Sequence, residues 1–369
     1  MIIGVVAFIA AIVVIYMLMV HFTPDFGGNI SKERQDAYSV SENYKQGKFV
    51  NKRDVPKSNG FFGTLNIARK FLFTKVSNGR PEKALACEKI DSIDVADYKG
   101  SSRLFWFGHS AFLLQTKEHS ILIDPMFGEV AAPYSWLGDK RFNSQLPIEI
   151  EKIPQIDVVL ISHDHYDHLD YGSIKLLKDK VKMFYVPLGV GAHLEAWGVD
   201  KDRIMELDWW DEVVYEDLNF VCTPAQHFSG RKVTDGQSTL WSSWVIKNND
   251  TNIFFSGDSG YGDHFKKIGE KYGPFDFAML ECGQYNEMWP DIHMFPEETV
   301  QAGLDVNTKI AMPIHWGAFK LALHDWRDPV ERMVKKAEEL DLKIRVPEIG
   351  APIYISDEEV KDSFWWRDN

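Results

Sequence analysis

Apolar residues fall into three kinds of run along this chain. The first extends from Ile2 to Val20 without a charge, a proline or an amide. As a helix rising about 1.5 Å per residue it would cover roughly 28 Å, close to the thickness of a bilayer core. It is apolar on every face, unlike a helix that packs one side on a domain. No Lys or Arg precedes it and no Ala-x-Ala site follows, so it reads as a retained transmembrane helix and not a cleaved signal peptide. Lys32 and Arg34 are the first basic residues after it, which assigns the rest of the chain to the cytoplasmic side. The expected organisation is an anchor over 1–28, a polar linker or arm over 29–58 and one large domain over 59–369.

The second kind is a helical stripe. Phe61, Leu65, Ala68 and Leu72 recur at helical spacing within 61–75. This helix is expected to pack on the domain, with a place in the membrane interface as the alternative. The third kind is the short apolar block. Leu104–Phe107, Phe112–Gln115, Ile121–Ile123, Asp157–Ser162 and Phe184–Pro187 read as strands. So do Asn219–Thr223, Asn252–Phe255, Phe277–Leu280 and Lys309–Pro313. Helices are expected over Tyr171–Lys180, from Pro296 and from Asp328, the last with Val330, Met333, Val334, Ala337 and Leu340 on one face. Alternating strands and helices predict an α/β or α+β sandwich.

Composition narrows the function. Hydrophobic residues make up 45% of the 369 residues and charged residues 26%, which excludes wholesale disorder. The formal net charge of −13 argues against nucleic acid as a partner. Cys87, Cys222 and Cys282 have no paired spacing, so a disulfide scaffold and a cysteine zinc module are both out. They are expected to be buried as small apolar residues.

The chemistry is concentrated in His163-Asp-His165-Tyr-Asp167-His168, directly after the apolar block ending at Ser162. Imidazole and carboxylate ligands suit borderline cations such as zinc. Three more apolar blocks run into a ligand-type residue, at His227, Asp258 and His315. Strand ends at one rim of a sheet are where open α/β folds place their sites. The Gly257-Asp258-Ser259-Gly260 segment echoes a serine-protease turn, but Asp258 is better used as a ligand.

With these residues goes a series of segments: Trp106-Phe-Gly-His-Ser, Ile123-Asp-Pro-Met-Phe, Lys140-Arg-Phe, Pro224-Ala-Gln-His-Phe, Phe255-Ser-Gly-Asp-Ser-Gly-Tyr261 and Ile314-His-Trp-Gly-Ala-Phe319. Together they resemble the metallo-β-lactamase superfamily, and most nearly the N-acyl-phosphatidylethanolamine-hydrolysing phospholipases D and their bacterial relatives. The resemblance covers roughly residues 60–345. It implies an αββα sandwich with two Zn²⁺ ions, or other divalent transition metals, between the sheets. His163, His165 and His227 would bind the first ion, Asp167, His168 and His315 the second, and Asp258 would bridge both. Two such ions lower the pKa of a shared water toward about 7, which supplies a hydroxide for attack on phosphorus. Asp167 could also orient that hydroxide, and His293 would polarise the substrate or serve the leaving group.

The resulting expectation is a membrane-anchored phosphodiesterase with a phospholipid substrate, giving phosphatidic acid and an N-acylethanolamine. A homodimer is a further implication of the resemblance. The N-terminal span departs from that family, whose phospholipase resembles a peripheral protein. The same metal set serves lactonases and soluble phosphodiesterases, which remain the alternative, and a metal-stabilised scaffold is the non-enzymatic one. The complete ligand set favours an enzyme. Asp124 is expected either to fix a ligand histidine or to form a turn. His109 is expected to pack or orient a loop, and His324 either to line the pocket or to be solvated. The stretches Trp209-Trp210, Trp241–Trp244 and Trp365-Trp366 read as core, with acyl-chain binding as the alternative.

Overall fold

The computed structural model describes residues 2–53, 60–117, 119–357 and 363–369. Residues 54–58, the end of the expected arm, lie outside the described residues, as do the side chains of Phe61, Ala68 and Leu72. The chain opens with helix α1 (Ile2–Phe22). Among the described residues it is the one helix long and apolar enough to cross a membrane. The polar arm follows, with α2 (Lys32–Tyr38) and a hairpin of β1 (Tyr44–Lys45) and β2 (Lys48–Phe49). Helix α3 (Gly60–Phe73) and the short α4 (Ser92–Asp97) precede the sheets.

Two seven-stranded sheets form the body of the fold. The first sheet contains β3 (Arg103–Trp106), β4 (Phe112–Thr116), β5 (His119–Ile123), β6 (Ile156–Leu160), β7 (Val181–Pro187) and β8 (Ile204–Leu207). The second contains β9 (Glu212–Tyr215), β10 (Leu218–Thr223), β11 (Ser243–Lys247), β12 (Asn252–Phe255), β13 (Phe277–Glu281), β14 (Ile310–Ile314) and β15 (Lys343–Ile344). The C-terminal strand β16 (Pro352–Tyr354) returns to pair with β3 in the first sheet. Each sheet is half antiparallel and half parallel. Strands β5 to β8 are parallel, and so are β12 to β15.

Parallel neighbours need a crossover, usually a helix. In the first sheet helices α5 (Tyr171–Leu177) and α6 (Gly191–Ala196) supply it from β6 to β7 and from β7 to β8, whereas β5 reaches β6 through the irregular stretch 124–155. Helices α7 (His264–Tyr272), α8 (Pro296–Asp305) and α9 (Asp328–Glu339) supply it for the second.

The alternation of side chains along each strand divides the core into three layers. Phe112 and Leu114 of β4 and Ile253 and Phe255 of β12 point into one buried cluster between the sheets. Their neighbours turn outward. Leu113 joins Ile174 and Leu177 of α5 in one outer cluster, and Phe254 joins Phe265 of α7 and Val300 of α8 in the other. Strands buried on both faces therefore carry unbroken apolar runs. The result is an αββα sandwich, the expected fold class.

Of the tryptophans in question, Trp209, Trp241, Trp244, Trp365 and Trp366 are buried, and Trp210 is half-buried, so these stretches serve the core. The arm is packed as well. Tyr38 and Phe49 belong to the central cluster. Tyr38 donates to Glu206 Oε2 at 2.8 Å, and Arg34 pairs with both Glu195 and Glu206.

Phe49 is fully buried. Phe49→Ala is expected to lower unfolding free energy by about 3–5 kcal/mol in a denaturant titration. A loose tether would change it by less than about 0.5 kcal/mol.

Candidate metal centre

Six strand ends deliver polar groups to one rim. The loop after β6 carries His163 to His168, and the loops after β10, β12 and β14 carry His227, Asp258 and His315. Strand β5 runs into Asp124 and β13 ends on Glu281. Three of the site residues have left-handed backbones: His109 (φ 58°), Asp124 (φ 40°) and His315 (φ 66°). Such conformations cost non-glycine residues about 1–3 kcal/mol each and persist only where their surroundings impose them. His109 and His315 impose it on each other. His109 N–H donates to Trp316 O at 2.8 Å, and His315 N–H to His109 O at 3.0 Å. Gly283 lets the chain after β13 lie against this pair, since a Cβ there would meet His315 O at 1.6 Å.

The side chains form two groups that meet at Asp258. In the first, His163 Nε2 lies 2.9 Å from His165 Nδ1, and His227 Nε2 lies 3.2 Å from the same atom. Asp258 Oδ2 is 3.8 Å from His163 and 3.7 Å from His227. In the second, Asp258 Oδ1 is 3.1 Å from both His168 Nε2 and His315 Nδ1. Asp167 Oδ2 is 3.6 Å from His168 and 3.9 Å from His315. All seven candidate ligands named from the sequence therefore come together; the donor atoms of His163, His165, His227 and Asp258 lie within 4.8 Å of one another, and so do those of His109, Asp167, His168 and His315. His293 joins Asp258 and His315 in a third, overlapping group.

The electrostatics show what these groups lack. Burial, reinforced by neighbouring imidazoles, holds His163, His227 and His315 well below the usual imidazole pKa, and burial first of all brings His165 to about 4. Burial raises Asp258 to about 6. Burial opposes a charge on His168 too, but Asp258 and Asp167 outweigh it and raise its pKa. His168 Nε2 and Asp258 Oδ1 are both buried and face each other at 3.1 Å, and neither makes a hydrogen bond of good geometry. Neutral imidazoles and an orphaned carboxylate oxygen, all aimed at common points, are a donor set for borderline divalent cations. Nitrogens bound at about 2.0–2.1 Å to one tetrahedral ion lie roughly 3.3 Å apart, close to the spacing in the first group. The residues present fit two such ions.

Behind the ligands stands a frame. Asp124 accepts from His168 Nδ1 at 2.7 Å, from Ser162 N–H at 2.7 Å and from Ser162 Oγ at 2.6 Å. It thus fixes the ring of His168, a candidate ligand. His227 Nδ1 donates to Ile292 O at 3.0 Å, which leaves Nε2 for the centre. His109 Nε2 bonds Asp167 Oδ2 at 2.9 Å, so it orients a ligand carboxylate as well as a loop. His324 stacks on Tyr285 and donates to Asp325 O, outside the groups. Glu281 was not foreseen: its Oε1 lies 3.3 Å from His293 Nδ1. Burial disfavours a charge on His293, but Glu281 more than offsets this and raises its pKa. The strand-end signal that marked His163, His227, Asp258 and His315 also marks Glu281, one residue beyond the block Phe277–Leu280.

A family described as the beta-lactamase superfamily domain matches residues 119–316. The chain belongs to the metallo-β-lactamase superfamily of metal-dependent hydrolases. An uncharacterized protein of Mycobacterium tuberculosis is 38% identical to this hydrolase over 354 residues, covering 94% of this chain and 93% of the relative. The N-acyl-phosphatidylethanolamine-hydrolyzing phospholipase D 1 of Caenorhabditis elegans is 32% identical over 270 residues, 68% of this chain and 75% of the relative. Among solved structures, an isothiocyanate hydrolase from Delia radicum gut bacteria shares the fold. Its TM-score is 0.54 at 21% identity, covering 68% of this chain and 98% of that one.

Asp124 and His168 are both buried, and Ser162 depends on the same carboxylate. Asp124→Ala is expected to destabilise the metal-free hydrolase by about 3–5 kcal/mol, because it leaves buried donors unpartnered. Equilibrium denaturation in the presence of a chelator checks this, and a loss below about 1 kcal/mol would show that Asp124 does not hold the loop.

Proposed function

We propose that this hydrolase is a membrane-anchored phosphodiesterase with a binuclear metal centre, acting on N-acyl-phosphatidylethanolamine-type phospholipids. The observation that carries the reading is the position of the two donor groups beneath an apolar mouth. A cavity of about 480 Å³ reaches His165, Asp167, Asp258, His293 and His315, and Ile67, Phe228, Trp289, Ile292 and Leu321 form its walls. Ile67 belongs to α3, which lies across the mouth with Phe71 stacked on Trp289. Such a mouth suits an amphiphile, with its phosphate at the polar floor and its chains along the walls. The phospholipase D relative from Caenorhabditis elegans supports the same substrate class.

His163, His165 and His227 would hold one ion, and Asp167, His168 and His315 the other, with Asp258 between them. Bound there, two divalent cations would supply Lewis acidity toward a phosphoryl oxygen and neutralise the charge that develops on it. The chain's own residues position the reaction. Asp258 keeps the two groups in register. His109 aims the Asp167 carboxylate, which faces the cavity and orients the attacking water. Glu281 holds His293 beside Asp258, where its ring offers a hydrogen-bond donor to a phosphoryl or leaving-group oxygen. The apolar walls exclude bulk water and so strengthen each of these contacts. Cleavage on the headgroup side releases an N-acylethanolamine and leaves phosphatidic acid. Helix α1 would hold the cavity beside the bilayer.

The test is release of N-acylethanolamine from mixed micelles by the full-length chain, with metal content measured on the same sample. About two ions per chain and turnover lost on chelation are expected. Asp258→Asn should abolish turnover, and His293→Ala should lower kcat about 10²-fold or more. Deleting residues 1–22 leaves the docked segment from Thr23 onward, and it should slow hydrolysis of vesicles more than of soluble phosphodiesters. Two ions with no release from the phospholipid would move the substrate to lactones or soluble phosphodiesters. Metal uptake with no hydrolysis of any of them would leave the scaffold reading.

A further inference from the structure

We infer that Asn51 is a positioning residue of the metal centre, so that the polar arm ahead of the hydrolase fold completes the first donor group. This rests on the reading of His163, His165 and His227 as ligands. His227 stands on an irregular stretch between β10 and β11, where no strand ladder fixes its peptide. Asn51 takes that role. Its Oδ1 accepts from His227 N–H at 3.1 Å, and its Nδ2 donates to His227 O at 2.8 Å.

The orientation of the amide is determined by its third partner. Trp241 Nε1 lies 3.0 Å from Oδ1, and an indole nitrogen can only donate, so the atom facing it must be the oxygen. Trp241 is itself buried and bonds Ala225 O at 3.0 Å, which ties the clamp to the same loop.

The arm also reaches the other side of the ligand. Arg53 pairs with Asp291 at 2.6 Å, and Asp291 O accepts from Gln226 Nε2 at 2.7 Å. The next residue, Ile292, provides the carbonyl that holds His227 Nδ1. Backbone and ring of one ligand are thus bracketed by residues 51–53 and their partners. The bracket is firm because the arm is packed. Phe49 is in the central core, Phe49 N–H donates to Gln237 O at 2.9 Å, and Asn43 Nδ2 donates to Asp208 Oδ1 at 2.7 Å. The second group is held by different partners, Asp124 and His109, and Asn51 bonds neither.

Removing the partner of a metal ligand typically weakens metal binding about 10–100-fold. The experiment titrates Zn²⁺ into the metal-free, full-length chain in detergent, in competition with a chromophoric chelator. Asn51→Ala is expected to weaken one of two binding events about 10–100-fold and leave the other unchanged. Asn43→Ala serves as the control. It loosens the same arm at a bond that touches no ligand, so its melting temperature should fall while both binding events stay as in the parent. Asn51→Asp keeps the shared oxygen but loses the donor to His227 O, and it carries the test if Asn51→Ala does not fold. Unchanged binding in the Asn51 variants would overturn the inference, and so would equal weakening in the Asn43 control. A parent chain that takes up no Zn²⁺ would instead overturn the ligand reading itself, and this inference with it.

Discussion

A single buried carboxylate sets the terms for the site and much of the fold around it. Asp258 is 2% exposed and has imidazole nitrogens of His163, His168, His227 and His315 within 3.8 Å. As side chains alone these groups are in conflict. Burial pushes the carboxylate toward its neutral form, and it pushes all four rings the same way, although at His168 the neighbouring Asp258 and Asp167 outweigh it. Isolated buried charges are costly, and so are buried donors and acceptors without partners. A cation shared by the ring nitrogens and the carboxylate resolves both problems at once. The polarity of this rim is therefore no exception to an otherwise apolar interior. A function that brings positive charge to it relieves that cost.

Holding such a set apart from collapse needs a rigid frame, and buried arginines provide much of it. Arg141 donates to Met126 O at 2.8 Å, to Phe107 O at 2.8 Å and to Asn143 Oδ1 at 3.2 Å. Burial brings its pKa down to about 10, yet it stays charged at neutral pH. Its rigid fork suits several fixed acceptors better than a flexible ammonium would. Through Phe107 and Met126 it braces the turns that carry His109 and follow Asp124, two of the residues held in left-handed conformations. Arg231 does the same for the ligand loop. It donates to Asp164 O at 2.6 Å and to Leu169 O at 2.8 Å, on either side of His165 and His168. The Asp164 side chain accepts from Gly230 N–H at 2.8 Å and Thr239 Oγ1 at 2.9 Å, which joins that loop to the one bearing His227.

The legible part of this arrangement was the part written in strand-length runs. A block such as Asp157–Ser162 is apolar throughout because its strand is buried on both faces, and the polar residue that ends it stands out for that reason. His163, His227, Asp258 and His315 could be found this way. Glu281 could have been, had the block been followed one residue further. Strands β8, β9 and β11 were missed: Ile204–Leu207 and Glu212–Tyr215 mix exposed with half-buried positions, and Ser243–Lys247 opens on a buried serine paired to Thr223. Asn51 left no trace at all. It lies in a polar segment whose composition reads as a linker, and its importance comes from partners 176 and 190 residues away. A single polar residue that bonds backbone has no periodicity to betray it.

The arm and the anchor end of the chain together add a second physical argument for the proposed lipid substrate. A flexible tether would only raise the local concentration of lipid, whereas the segment after α1 is bolted to the ligand loops. Asp25 O accepts from Arg231 Nε at 2.8 Å, and Pro24 O accepts from Trp197 Nε1 at 2.8 Å. Farther up the helix, Tyr16 Oη accepts from Val233 N–H at 2.9 Å. Tyr16 lies six residues before the end of α1 at Phe22, about 9 Å along its axis. Were α1 inserted over its apolar length, as proposed, Val233 would sit at the depth where headgroups give way to acyl chains. Val233 is 85% exposed, and Phe228, earlier on the same loop and in the cavity wall, is 41% exposed. In the proposed membrane-anchored arrangement the loop that carries His227 would lie at the lipid surface, and a phosphodiester at headgroup depth would have a short lateral path to the donor groups. An enzyme for soluble esters has no use for such a rigid seat, because its substrate arrives from water in any orientation.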